Sequence, residues 1–134
     1  MSHDRAGNVA LFGGFDGTTG LADTWIWNGS TWMQQTPASS PAARNLHAMV
    51  FDPDVGGIVL FGGTGASATG PNHYNDTWLW DGSNWTQVSP PGGPPSNRYA
   101  FGMVYDNAVH AVVIYGGYSS GPALQDTWEL SLAP

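Results

Sequence analysis

An apolar run ending in two glycines occurs three times in this chain: Val9-Ala10-Leu11-Phe12-Gly13-Gly14, Ile58-Val59-Leu60-Phe61-Gly62-Gly63 and Val112-Val113-Ile114-Tyr115-Gly116-Gly117. Each is followed, after a loop, by the same tripeptide, at Asp23-Thr24-Trp25, Asp76-Thr77-Trp78 and Asp126-Thr127-Trp128. The leading glycines Gly13, Gly62 and Gly116 stand 49 and 54 residues apart. A period of this length belongs to repeat architectures, in which each unit buries its apolar surface against the next. The fold therefore has to be read unit by unit.

Short apolar runs with β-branched residues suit a strand covered on both faces. The glycine pair that ends each run permits positive φ or a backbone approach too close for a side chain. In Thr24-Trp25-Ile26-Trp27 the period-two alternation places both indoles on one strand face. Asn28-Gly29 and Asp81-Gly82 predict type I′ hairpins, with positive φ at both turn residues, so that Trp32 and Trp85 lie on returning strands. Pro-rich connectors, 36–43 and 89–97, then stiffen the approach to Arg44–Phe51 and Arg98–Tyr105. Both are predicted strands that end in a turn, at Asp52 and Asp106. With the strands of a unit lettered A to D, the order is B-C-D, A-B-C-D, A-B-C, ten in all, and residues 1–4 match the tail of a first strand A. The expectation is a single all-β, antiparallel domain of repeats spanning roughly 1–43, 44–97 and 98–134.

Composition narrows the function. Lysine is absent, and three arginines (Arg5, Arg44, Arg98) against ten acidic residues form no basic stripe, so phosphate backbones and anionic membranes are not expected partners. No cysteine is present, which removes thiol catalysis, disulfides and cysteine-ligated metals. His3, His47, His73 and His110 lack zinc-like spacing. Asp52-Pro53-Asp54 begins like a calcium loop, but the other repeats do not share it and no glutamate closes it. No cofactor, metal or catalytic residue is assigned.

A four-stranded unit of about 50 residues, with an apolar run into Gly-Gly and two aromatics six residues apart (Trp25 and Trp32, Trp78 and Trp85), resembles the kelch repeat. The first aromatic is Trp where kelch repeats usually carry Tyr, a variant that looks like bacterial kelch-type proteins. The resemblance implies blades of a β-propeller, similar to the galactose-oxidase-like propeller domain, and propellers close with about 4–8 blades. Copper chemistry of the galactose-oxidase kind is not expected, because that cofactor is built with a cysteine. Sialidase-like chemistry needs an arginine cluster that this chain hardly supplies.

The chain holds fewer than three full blades, so its end blades are expected to expose apolar faces that need neighbours. Either copies assemble, with two copies giving a six-bladed ring as the favoured form, or the chain is part of a longer protein. The expected function is a non-catalytic module for protein binding or self-assembly; a carbohydrate-binding propeller is the alternative, and a secreted or cell-surface location is slightly favoured. Six of the seven tryptophans recur at equivalent positions and are read as packing residues, so Trp78→Ala is expected to cost about 3–5 kcal/mol. Binding residues are sought in the B-to-C loops, which the resemblance places on one face with the D-to-A connectors. They are Phe15, Asn72, His73, Tyr74 and Tyr118, with Arg44 and Arg98 nearby at the channel mouth. Those two arginines either receive an acidic group or pair internally with one of the repeating aspartates, Asp23, Asp76 and Asp126.

Overall fold

A computed structural model describes residues 1–67 and 70–133. Its strands are β1 (Ser2–His3), β2 (Val9–Phe15), β3 (Gly20–Trp27), β4 (Trp32–Gln35), β5 (Ala48–Asp52), β6 (Gly57–Phe61), β7 (Thr64–Ser67), β8 (Gly70–His73), β9 (Thr77–Trp80), β10 (Trp85–Val88), β11 (Gly102–Asp106), β12 (Ala111–Tyr115) and β13 (Thr127–Leu130). They form three antiparallel blades, ordered β1-β2-β3-β4, β5-β6-β9-β10 and β11-β12-β13. The ten expected strands are all present. Blade 1 also keeps a two-residue strand A, β1, and blade 2 carries an extra hairpin, β7-β8, where a plain loop was expected. The tip of that loop, residues 68 and 69, lies outside the described residues.

Apolar packing joins the blades. Ala10, Phe12 and Ile26 of blade 1 meet Ile58, Leu60, Trp80 and Trp85 of blade 2 in one buried cluster. The alternate residues of β6, Val59 and Phe61, point the other way and meet Val112, Ile114 and Leu130 of blade 3. All of β6 is thus covered, as its unbroken apolar run requires.

Strand A starts later than the sequence suggests. Leu46 and Ala100 have φ of 55° and 54°, which no strand accommodates, so pairing begins at Ala48 and Gly102. Ahead of this kink the chain passes under the glycine pair of the preceding blade. The Arg44 carbonyl accepts the Gly14 N–H at 2.8 Å, and the Arg98 carbonyl accepts that of Gly63 at 2.8 Å. A Cβ at Gly13 or Gly62 would stand 2.6 or 2.7 Å from those carbonyls, which explains the first glycine of each pair.

The hairpins β3-β4 and β9-β10 form, but not through type I′ turns. Only Gly29 and Gly82 have positive φ; Asn28 and Asp81 do not. Their side chains cap four-residue loops instead, Asn28 Oδ1 accepting the N–H of Ser30 and Thr31, and Asp81 Oδ1 those of Ser83 and Asn84.

Candidate binding face

The B-to-C segments and the D-to-A connectors come together at one end of the blades. A groove of about 390 Å³ opens there, lined by Phe15 and Gly20 of blade 1 and by Asn45, Thr64, Ala66 and Pro71 of blade 2. Asn45 and Thr64 are tied by two backbone hydrogen bonds of 2.8 Å, and Asn45 Oδ1 is buried without a partner among the described residues. Phe15, 56% exposed, is the largest free apolar group on the rim.

Beside the groove lies a stack of three rings. His73 packs on Tyr99 at 4.8 Å between centroids, and Tyr99 on Tyr118 at 6.0 Å. His73 Nδ1 is 3.0 Å from Thr64 Oγ1, so the hairpin's last residue bridges blades 2 and 3. Asn72 is exposed and Tyr118 is 46% exposed. Tyr74 belongs beneath the face, its ring 4.0 Å from the Arg44 guanidinium carbon.

Arg44 and Arg98 also lie beneath it, both fully buried. Arg44 makes a bidentate pair with Asp76 at 2.6 and 2.8 Å, and its Nη1 donates to the Gly62 carbonyl. Arg98 repeats this with Asp126 at 2.8 and 2.9 Å and with the Gly116 carbonyl. The indoles of Trp78 and Trp128 donate to the same two carboxylates at 2.7 Å. Burial pushes the Asp76 carboxyl up, but its bonds from Arg44 and Trp78 outweigh this and hold it below the ordinary range. Asp126 is held well below that range by Arg98 first and then Trp128. Both arginines are therefore engaged inside the protein and brace the face from beneath.

His47 packs edge-on against Phe12 at 5.8 Å, as Phe101 does against Phe61 at 5.6 Å. Burial lowers its pKa to about 4, so it is neutral near pH 7. At the opposite end Asp52 Oδ1 caps the Asp54 N–H, and Asp54 accepts from Tyr105 at 2.6 Å, an arrangement of turn and surface bonds. Among the described residues no group of three or more acidic or histidine side chains is placed to hold a metal.

Three features escaped the sequence reading: Tyr99 at the centre of the stack, and Asn45 and Thr64 in the groove. A signal existed, since Tyr99 occupies in blade 3 the place of Asn45 in blade 2, beside the buried arginine.

The kelch-repeats domain described for KLHDC2, KLHL20 and DRC7 matches residues 1–134. The chain belongs to the kelch-repeat family. A solved neighbour, described as the structure of YjhT, superposes with a TM-score of 0.74 over 93% of this chain and 40% of its own, at 17% identity, a likeness of fold. Among curated relatives, Mei4-dependent protein 6 of Schizosaccharomyces pombe is 29% identical over 125 residues, covering 85% of this chain and 18% of its own. A tRNA wybutosine-synthesizing protein 4 of Aspergillus fumigatus is 31% identical over 94 residues, covering 70% of this chain and 9% of its own. The kelch segment thus spans less than a fifth of the length of these relatives. Both are eukaryotic, so they lend no support to the bacterial variant expected from the Trp-first repeat.

Proposed function

We propose that this chain is a non-catalytic kelch module that binds a protein partner through the B-to-C face and joins further blades through its two flanks, in the simplest case as a dimeric six-bladed ring. The observation that carries this is the contrast between equivalent residues. Trp85 and Trp32 each pair with the second tryptophan of strand C, yet Trp85 is 0% exposed and Trp32 43%. Phe61 and Tyr115 each pair with the threonine of the Asp-Thr-Trp tripeptide, yet Phe61 is 0% exposed and Tyr115 57%. Val104, another outward residue of blade 3, is 59% exposed. Apolar groups that a neighbouring blade covers in the middle of the chain stand open at its flanks, the pattern of an interface.

A buried polar atom supports the same reading. Thr77 stands where Thr24 receives the Trp85 indole, and its hydroxyl is buried without a partner among the described residues. A fourth strand on blade 3 would bring it a donor. The carbohydrate alternative is weaker, because Trp32 lies on a strand at a packing position, not on a loop.

Native mass spectrometry tests the assembly. A dimer or larger closed species is expected; a monodisperse, well-folded monomer overturns self-assembly.

A further inference from the structure

Blades 2 and 3 each hold an arginine in the same socket, formed by the carboxylate that precedes strand C, the carbonyl of the first glycine of the pair, and the indole two residues beyond the carboxylate. Blade 1 has the same parts and no arginine. Asp23 Oδ2 accepts the Trp25 indole at 2.5 Å, and its other oxygen, Oδ1, is buried with no partner among the described residues. A carboxylate oxygen withdrawn from water and left unpaired is costly, so its place calls for a donor.

Strand register says where that donor comes from. Ser2 and His3 pair with Ala10 and Val9 as Val50 and Phe51 pair with Val59 and Ile58, so β1 is the continuation of a strand A laid down as β5 is. In blade 2 the arginine stands six residues ahead of Val50; the matching place in blade 1 lies ahead of Met1. No arginine of this chain can reach it without emptying another socket: Arg44 and Arg98 are engaged, and Arg5 lies in the turn between β1 and β2 at the opposite end.

We propose that blade 1 is a guanidinium socket that binds an arginine borne on an extended segment from outside these residues, laid along the inner edge of the blade ahead of β1. The planar fork suits arginine and not lysine, since two parallel N–H donors must meet one carboxylate while another reaches the glycine carbonyl. This inference concerns the inner edge, not the flanks, and stands or falls apart from self-assembly.

The test uses the full chain and a synthetic peptide of its own connector, Pro41 to Ala48, titrated by calorimetry with Trp fluorescence as a second readout. Binding is expected, weakened at least about tenfold when the peptide arginine is replaced by Ala and not restored with Lys. Asp23→Asn, which keeps an oxygen for the Trp25 indole, is expected to erase the preference for the arginine peptide over the Ala peptide; a melting curve checks its fold. Absence of binding at millimolar peptide, equal binding of the arginine and Ala peptides, or a preference that survives Asp23→Asn would each overturn the proposal.

Discussion

The indole of Trp85 donates to the hydroxyl of Thr24 at 2.9 Å, a buried hydrogen bond between residues 61 apart in the chain. It fastens the last strand of blade 2 to the third strand of blade 1, inside the apolar cluster those blades share.

Trp85→Ala should therefore destabilise by about 3–5 kcal/mol, the range for removing a large buried aromatic. Trp85→Phe keeps most of the packing but strands the Thr24 hydroxyl, at about 1–3 kcal/mol, and adding Thr24→Val should recover much of that loss. Denaturant midpoints of the two single variants and the pair measure it, and strict additivity would show that the bond contributes nothing. Trp78→Ala should fall at the lower end of the same range, because Trp78 is only partly buried.

Removing either partner of the Arg44–Asp76 pair leaves a buried charge unmatched. Arg44→Ala and Asp76→Ala should each cost about 3–5 kcal/mol, while the double variant should cost far less than their sum. Equilibrium unfolding of all three gives the coupling energy. Arg44→Lys should not rescue, since an ammonium cannot span both carboxylate oxygens and the Gly62 carbonyl.

Stability depends on pH in two separate windows. His47, with its folded pKa near 4 against an ordinary 6.5, is protonated first in the unfolded chain, so stability should fall as pH drops from about 6.5 to about 4, by up to about 3 kcal/mol. The depressed Asp76 and Asp126 carboxyls contribute stability above the ordinary carboxylate range, lost as pH falls below it. His47→Phe, the residue blade 3 carries at that place, should abolish the first decline and leave the second. Melting temperatures at pH 7.5, 5 and 3.5 separate them; an unchanged profile in the Phe variant would assign the first window to another group.

On the binding face, Phe15→Ala with Tyr118→Ala should leave stability nearly unchanged, within about 0.5 kcal/mol for each exposed site, and abolish recovery of a protein partner in pull-downs. Asn72→Ala with His73→Ala should weaken it. Tyr74 is unsuitable for this test because its ring supports Arg44. Asn107→Ala at the opposite end is the control, and loss of the partner there instead would place the site on the other face.

Much of this architecture is legible in the chain because each unit repeats its own rules. The glycine pair, the Asp-Thr-Trp tripeptide and the arginine before strand A together foretell blade order, and they offer the Arg–Asp pairing as one of two readings. The burial of Trp25, Trp27 and Trp32 is not legible, because a neighbouring blade, not the residue or its strand, decides whether a packing position is covered. Asn28-Gly29 misleads on turn type because the side chain of Asn28 can satisfy the same N–H groups in a longer loop. The kinks at Leu46 and Ala100 escape notice because neither residue type favours positive φ; the crossing under the glycine pair imposes them.

Arg44 grips in two directions at once, its guanidinium on Asp76 in its own blade and its carbonyl on Gly14 in the blade before. Arg98 does the same between blades 2 and 3. A blade that frays must therefore release the edge of its predecessor, and opening that stays local elsewhere in a stacked array is here passed along the chain. The amides of Gly14 and Gly63 should then exchange with solvent only at the rate of global unfolding, so that the three repeats melt as one cooperative unit.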